Sequence, residues 1–207
     1  AIEEHFTPNP ALVEHLRSVG KDAYANAVEH AGDLNVSYVY QDEPLGLGHA
    51  VHCAAEKTGD EPFFVLLGDV IVPGNNMLPR MQEISAAHGG ASVIAVVPVP
   101  DDQVSRVGII AGEKVGEDEW KVERLVEKPK LEDAPSNLAV FGRYLLSARV
   151  MELLAQAKPT TGGEIQLTAA MDAVLKEEEM YPLVIDPADG FDTGTPESWL
   201  ETNNILY

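Results

Sequence analysis

Cysteine and basic residues are both scarce in this 207-residue sequence. The only cysteine is Cys53, so an internal disulfide and a cysteine-rich metal site are both excluded, and a reduced cytoplasm is the expected compartment. Lysine and arginine number 14 against 34 aspartates and glutamates, a formal net charge of -20. No basic cluster can displace counterions from a polynucleotide, so we expect no nucleic-acid partner.

Long apolar runs are also missing. None approaches the roughly 20 residues needed to cross a bilayer, so no membrane partner is expected. Residues 1–4 lack the basic and apolar regions of a secretion signal. Length and composition predict a single domain over residues 1–207. Because the protein is so acidic, handling phosphates would require a few well-placed basic side chains or a bound metal ion.

β-rich runs alternate with helical patterns in the first half of the sequence. Residues 36–40, 63–67 and 92–99 are apolar on both faces, as in central strands, and helices are predicted at 48–57 and 76–88. This alternation predicts an α/β, Rossmann-like fold with a mixed, mostly parallel central sheet flanked by helices. Ligands of such sheets collect beyond the carboxyl ends of the strands.

The pattern changes in the second half. It predicts a hairpin formed by 109–111 and 120–126, followed by a strand at 137–145. Two helices at 148–156 and 165–178, a strand at 181–185 and a helix beginning near Pro196 complete the prediction. Residues 10–31 predict a helical subdomain without an evident role.

A glycine-containing loop, residues 41–50, follows the predicted strand 36–40 and opens a helix. Gly46 and Gly48 allow the backbone to approach a flat or anionic ligand, and the helix start offers unpaired amides. A base-binding loop and a plain strand-to-helix turn both fit this pattern. The third glycine of the dinucleotide fingerprint is absent, which disfavours a nicotinamide cofactor.

Two aspartates are candidate ligands for a divalent cation. Asp69 ends the apolar run 63–69, where a carboxylate would reach the ligand edge of the sheet and could share Mg²⁺ with substrate phosphates. Asp192 lies in a compact turn into the last helix and could supply a second carboxylate. Each could instead only stabilise its own turn.

Glu127 and Lys128 close the second strand of the predicted hairpin, just before Pro129. Proline biases the preceding residue towards an extended backbone, so the two side chains would alternate at the strand end. A hydroxyl-binding acceptor beside a phosphate-binding cation suits a sugar phosphate. A surface charge pair at a turn is the alternative.

Six segments in order resemble the bacterial UTP:glucose-1-phosphate uridylyltransferases, also called UDP-glucose pyrophosphorylases. They are AIEEHF (1–6), GLGHA (46–50), LGD (67–69), EKPK (127–130), PSNLAVFGRY (135–144) and GEIQLT (163–168). Each motif is modest, but their shared order and spacing over nearly the whole chain make chance similarity improbable.

The resemblance implies a nucleotidyltransferase fold and the conversion of UTP and glucose 1-phosphate into UDP-glucose and pyrophosphate. It implies that the uracil is met by Gln41, Gly46 and Gly48, and that glucose and its phosphate are held by Gly108, Glu127 and Lys128. Mg²⁺ would be bound by Asp69 and Asp192, with Asp69 and Lys128 as the catalytic pair that offsets charge repulsion. Self-association is also expected.

The sequence departs from the family in two places. Members begin with a strand and a Gly-x-Gly-Thr-Arg loop that cradles the triphosphate, followed by a Pro-Lys element, and nothing here matches them. The expectation is therefore an N-terminally incomplete domain that is inactive alone. Val107 stands where the family more often has an aromatic residue. Two other functions stay open: a sister enzyme using dTTP with glucose 1-phosphate, and a non-catalytic sugar-nucleotide-binding subunit.

Overall fold

The computed structural model describes residues 2–74, 76–114, 120–160 and 162–207. The chain divides into two compact units, the first reaching to Tyr40 and the second covering Gln41–Tyr207. The single domain expected over the whole chain stays a prediction.

The first unit is helical. Its helices are α1 Ile2–His5, α2 Pro10–Ser18 and α3 Asp22–Gly32. The Asn9 side chain accepts a hydrogen bond from the Leu12 amide at 3.1 Å, which caps α2 and satisfies one of its unpaired donors. Val13 of α2 and Ala25 of α3 are buried where the two helices pack. The helical subdomain predicted at 10–31 is confirmed.

The strand predicted at residues 36–40 is wrong. The segment has no regular secondary structure, and no described residue pairs with it as a strand. Its side chains are largely exposed, Tyr40 to 70 %. β-rich composition suits a pleated, half-buried surface, but a strand also needs a neighbour for its amides and carbonyls.

The second unit is built on a sheet. Its strands are β1 Phe63–Leu66, β2 Val70–Ile71, β3 Ser92–Pro98, β4 Gly108–Lys114, β5 Trp120–Glu127, β6 Leu138–Leu146, β7 Met180–Val184 and β8 Phe191–Asp192. The main sheet has the order β5-β4-β6-β3-β7, with β1 paired to β6, while β2 and β8 form a separate two-stranded ribbon. The predicted hairpin and the strands near 63–67, 92–99, 137–145 and 181–185 are confirmed.

The strand directions correct one part of the predicted architecture. Among the described strands only the pair β3 and β7 is parallel, and the other pairs are antiparallel. Parallel neighbours need a crossover of a dozen or more residues. Here β4 and β5 are joined as a hairpin, and β6 runs opposite to β1, β3 and β4. The sheet is mixed and flanked by helices as predicted, but it is mostly antiparallel.

Among the described residues, six α-helices accompany this sheet. They are α4 Leu47–Cys53, α5 Ala55–Thr58, α6 Met77–Ala87, α7 Ala148–Gln156, α8 Leu167–Val174 and α9 Pro196–Leu206. The helix predicted at 48–57 is interrupted at Ala54, and α8 is shorter than the predicted 165–178. Ile165 cannot join α8, because its backbone is bonded to Leu45 and Gly48 at 2.7 and 2.9 Å.

The core lies on both faces of β3, in which Val93, Ile94, Ala95 and Val96 are fully buried. One face packs with residues of α4, α7 and α8, and the other packs with residues of α6. Within the described residues, no helix is long and apolar enough to cross a membrane.

Candidate active site

A cavity of about 180 Å³ lies where β1 and β5 end and β4 begins. Four of the predicted site residues line it: Asp69, Gly108, Glu127 and Asp192. They come from four separate segments of the chain, and the fold brings them to one place. The prediction that they share a site therefore agrees with the geometry of the cavity.

The carboxylates of Asp69 and Asp192 meet at Gly194. The ribbon pairs Val70 with Asp192, and the Thr193 amide and hydroxyl both donate to the Asp69 carbonyl, at 2.8 and 2.7 Å. A Cβ atom placed on Gly194 would lie 2.9 Å from Asp192 Oδ1 and 3.4 Å from Asp69 Oδ2. Glycine at position 194 thus leaves the space beside both carboxylates open, where a side chain would crowd Asp192.

Two carboxylates suit a magnesium ion, which takes few protein ligands, better than a metal whose ligands all come from the protein. The part of the chain that the structure describes contains no group of three or more histidine, cysteine or acidic side chains around one point. Mg²⁺ commonly takes one or two carboxylates and completes its octahedron with water and substrate phosphates. The Asp69 side chain accepts no hydrogen bond from any described residue, so no turn-capping role is seen for it. The Asp192 carboxylate does accept one, from the Gly194 amide at 2.7 Å, so it also stabilises its own turn.

Arg143, in β6, holds the turn that carries Asp69. The residue is 8 % exposed, and its guanidinium donates to the carbonyls of Leu67 at 3.0 Å, Gly142 at 2.9 Å and Val70. Burial lowers the pKa of Arg143, and the nearby Asp69 carboxylate opposes that shift. The planar guanidinium supplies several donors in fixed directions, as this arrangement of carbonyls requires.

Glu127 occupies the opposite side of the site. The Thr168 hydroxyl donates to Glu127 Oε2 at 2.9 Å, which fixes the carboxylate. Gly108 pairs with Glu127 across the hairpin, and a Cβ atom there would lie 3.1 Å from Thr168 Cγ2 and 3.3 Å from Glu127 Oε2. Gly108 therefore keeps open the space in front of an oriented hydrogen-bond acceptor.

Lys128 lies beside this acceptor without lining the cavity itself. Its ammonium is 3.6 Å from Glu127 Oε1 and its side chain is 57 % exposed. Its backbone has a φ of 46°, so the extended conformation predicted from the following proline is wrong at this residue. The Lys128 amide donates to the Val107 carbonyl at 3.1 Å, a contact that holds the chain in this left-handed bend.

Beside the buried Phe141, Tyr144 is the buried aromatic residue of the cavity wall that carries a hydroxyl. It lies on β6 between β1 and β3 and is 5 % exposed. Burial raises the pKa of Tyr144 well above its ordinary value, and the carboxylates of Glu127 and then Asp69 raise that pKa further. The phenol is therefore a neutral hydrogen-bond donor.

The predicted base-binding residues flank the cavity. Leu47 lines it, whereas Gln41, Gly46 and Gly48 do not. The Gln41 side-chain amide donates to the Gly46 carbonyl at 3.1 Å and lies 2.9 Å from His49 Nδ1. Both glycines are required by packing, because a Cβ atom on either would come within 3 Å of the Ile165 carbonyl. Their contact with uracil stays a prediction.

Sequence reasoning assigned no role to Arg143, Tyr144, Thr168 or Gly194. The first three lie within motifs that carried the family resemblance, but nothing in their spacing shows what they touch. An arginine inside an apolar strand was the one available signal, since a buried charge must find partners.

Comparison with known proteins agrees with this geometry. The profile of the nucleotidyl transferase family matches residues 9–207, so the chain belongs to that family. It is 35 % identical to a UTP–glucose-1-phosphate uridylyltransferase of Pseudomonas aeruginosa, over the whole of this chain and 75 % of that protein. Its identity to the Streptococcus pneumoniae enzyme of that name is 39 %, over 98 % of this chain and 69 % of the relative.

A solved structure supports the same grouping. A UDP-glucose pyrophosphorylase in complex with UDP-glucose superposes with a TM-score of 0.88 at 30 % identity, covering all of this chain and 76 % of that one. The family resemblance and the nucleotidyltransferase fold predicted from the sequence are both confirmed.

Proposed function

We propose that this chain makes UDP-glucose and pyrophosphate from UTP and glucose 1-phosphate with the help of Mg²⁺. The observation that carries the proposal is one cavity that joins the carboxylate pair Asp69 and Asp192 to the oriented acceptor Glu127. The relatives that are similar over nearly the whole chain carry the name of this activity.

The Glu127 side of the cavity takes the sugar. A carboxylate fixed by Thr168 accepts hydrogen bonds from sugar hydroxyls, and the open space before Gly108 admits the ring. The exposed ammonium of Lys128 attracts the phosphate of glucose 1-phosphate. These side chains hold the nucleophile in position and reduce its repulsion from an anionic triphosphate.

Asp69 and Asp192 would hold the metal. Mg²⁺ bound there would neutralise charge on the phosphates that react. Arg143 keeps the Asp69 turn in place, and Gly194 leaves the space between the two carboxylates.

The reaction needs no covalent enzyme intermediate and no general base. An oxygen of the sugar phosphate, largely ionised near neutral pH, attacks the α-phosphorus of UTP. The new oxygen–phosphorus bond forms as the bond to the bridging oxygen of the β-phosphate breaks, and pyrophosphate leaves with that electron pair. Positioning and charge neutralisation therefore supply most of the catalysis.

The first test is Asp69→Asn, which keeps the size of the side chain and removes its charge. We expect Mg²⁺-dependent turnover to fall by about two orders of magnitude or more, in line with the loss of one electrostatic stabiliser. Mn²⁺ binding followed by electron paramagnetic resonance should weaken in parallel, while the circular dichroism spectrum stays that of the wild type.

The matched control is Asp102→Asn, an exposed aspartate that does not line the cavity. It should leave metal binding and turnover unchanged. Wild-type metal affinity in Asp69→Asn would refute the metal assignment. Binding of UDP-glucose without turnover by the full-length gene product would support a sugar-nucleotide-binding subunit instead.

The choice of base is tested separately, by comparing kcat/KM for UTP and dTTP at saturating glucose 1-phosphate. We expect UTP to be preferred, with Gln41, Gly46 and Gly48 nearest to the uracil. Preference for dTTP would assign the chain to the sister activity.

Two further proposals concern the setting of the enzyme. Cys53 forms no disulfide, which supports a reducing compartment such as the cytoplasm. A fusion of the protein to a fluorescent protein should therefore be found in the cytoplasm. Self-association, expected from the family resemblance, would be measured by sedimentation velocity, and a monomer at all concentrations would contradict it.

A further inference from the structure

Tyr144 is held in the wall of the cavity by the sheet on both sides. Its backbone pairs with Val65 of β1 and with Ile94 of β3. Its ring belongs to the packed core on the face of the sheet that α8 covers, and only 5 % of the residue is exposed. The same side chain lines the cavity. The ring is thus fixed by packing, and the cavity is the open space that it meets.

The hydroxyl of Tyr144 makes no hydrogen bond to any residue that the structure describes. Polar groups this deeply placed are nearly always hydrogen-bonded, because an unmet donor loses the bond that it had with water. The neighbouring polar groups already have partners, since Thr168 donates to Glu127 and the Gly194 amide donates to Asp192. The Tyr144 hydroxyl is not among the fully buried unpaired atoms of the described residues, so it is open to the cavity, where water or a bound ligand can accept its hydrogen bond.

The chemistry around Tyr144 selects among possible partners. Glu127, on the sugar side of the same cavity, is a hydrogen-bond acceptor. Its carboxylate raises the pKa of Tyr144 more than the carboxylate of Asp69, on the metal side, does. A sugar hydroxyl can donate to a carboxylate and accept from a phenol at the same time. A donor and an acceptor facing one cavity are complementary to such a group.

Resting on the proposed function, we propose that the Tyr144 hydroxyl donates a hydrogen bond to the hexose hydroxyl that itself donates to Glu127. Tyr144 is then a specificity-determining residue, which selects sugars that carry a hydroxyl at that position. A site built to hydrogen-bond a hydroxyl discriminates strongly against the analogue that lacks it, because its own polar groups are then left unpaired.

The test is Tyr144→Phe, which removes the hydroxyl and keeps the ring that fills the wall. Dissociation constants for UDP-glucose and for its 2-, 3-, 4- and 6-deoxyglucose analogues would be measured by titration calorimetry. We expect UDP-glucose to bind about tenfold more weakly to the variant, the size of one hydrogen bond. For one analogue the wild type and the variant should bind equally, since the partner hydroxyl is already missing.

The control is Tyr181→Phe, whose hydroxyl donates to Glu179 and which does not line this cavity. It should bind every ligand as the wild type does. Unchanged affinity in Tyr144→Phe would overturn the inference, and so would an equal loss for UDP-glucose and all four analogues, because that would show altered packing. Failure of the wild type to bind UDP-glucose would refute the proposed function itself.

Discussion

Lys128 carries its ammonium on a backbone that lysine seldom adopts. It is the one non-glycine residue with a positive φ among the described residues. For residues with a Cβ, the left-handed region costs roughly 1–2 kcal/mol, and such strain persists where the surroundings enforce it. The bend places a cation beside Glu127, so the strain accompanies a proposed substrate contact.

Two substitutions separate the strain from the charge. Lys128→Ala and Lys128→Gly both remove the ammonium, and both should raise the KM for glucose 1-phosphate about tenfold, the value of a charge-assisted hydrogen bond. The free energy of unfolding of the glycine variant should also be about 1 kcal/mol larger than that of the alanine variant, because glycine adopts positive φ freely. Urea unfolding compares the two. Equal stability would contradict the strain, and a normal KM would contradict the contact.

The sequence indicated individual candidate residues better than it indicated which of them lie together in the fold. The apolar run that Asp69 ends and the strand end at Glu127 made both residues candidates, and the family resemblance supplied the roles predicted for them. That Asp69 and Asp192 face one point depends on the ribbon and on the missing side chain of Gly194, which act over a long sequence separation. Tyr144 gave no signal, since a tyrosine in a buried strand has the same spacing whether or not its hydroxyl reaches a cavity.

The turn between β1 and β2 is fixed from another element. Arg143 of β6 donates to the carbonyls of Leu67 and Val70, on either side of Asp69. Arg143 does not line the cavity, so it acts on the site through the backbone. It is a positioning residue for Asp69, the proposed metal ligand.

Arg143→Lys and Arg143→Met test this role. Lysine keeps the charge but lacks the rigid fork, so Mn²⁺ should bind about tenfold more weakly, as for other outer partners of metal ligands. Methionine also removes a positive charge near Asp69. Electrostatics alone would make that variant bind Mn²⁺ more tightly, whereas loss of the clamp makes binding weaker. Tighter binding by a folded Arg143→Met protein would therefore contradict the positioning role.

Regular elements were predicted well where a pattern was local, and less well where tertiary partners decided. The strands β3 and β6 and the helix α7 follow from apolar runs and periodicity alone. The segment 36–40 had the composition of a strand but no partner. Ile165 fitted a helical pattern, but its backbone is hydrogen-bonded to Leu45, just before α4, and to Gly48, in the first turn of α4. Strand direction was predicted from alternation, which does not show which strands become neighbours.

The whole molecule is strongly acidic, and its proposed substrates are anions. A net charge of -20 repels UTP and glucose 1-phosphate at long range, and Lys128 offsets this only locally. Salt shortens the Debye length from about 30 Å at 0.01 M to about 8 Å at 0.15 M. Most charges on the surface then cease to act on an approaching substrate.

We therefore expect kcat/KM for UTP to rise roughly threefold between 10 and 150 mM KCl at saturating Mg²⁺. Enzymes that attract their substrates electrostatically show the opposite trend. Initial rates at low UTP concentration measure the effect, with the melting temperature as a check that salt does not act through stability. A fall in kcat/KM would show that local positive charge outweighs the net charge.

The contact between Thr193 and Asp69 joins positions 124 residues apart. Closing so long a loop is entropically costly, and non-local pairings of this kind form slowly. The carboxylate pair is consequently absent from any nascent chain that has not yet reached Asp192, however much of the central sheet has already assembled. The proposed Mn²⁺ or Mg²⁺ binding would thus report on the completion of folding, since it requires both ends of this long loop to be in place.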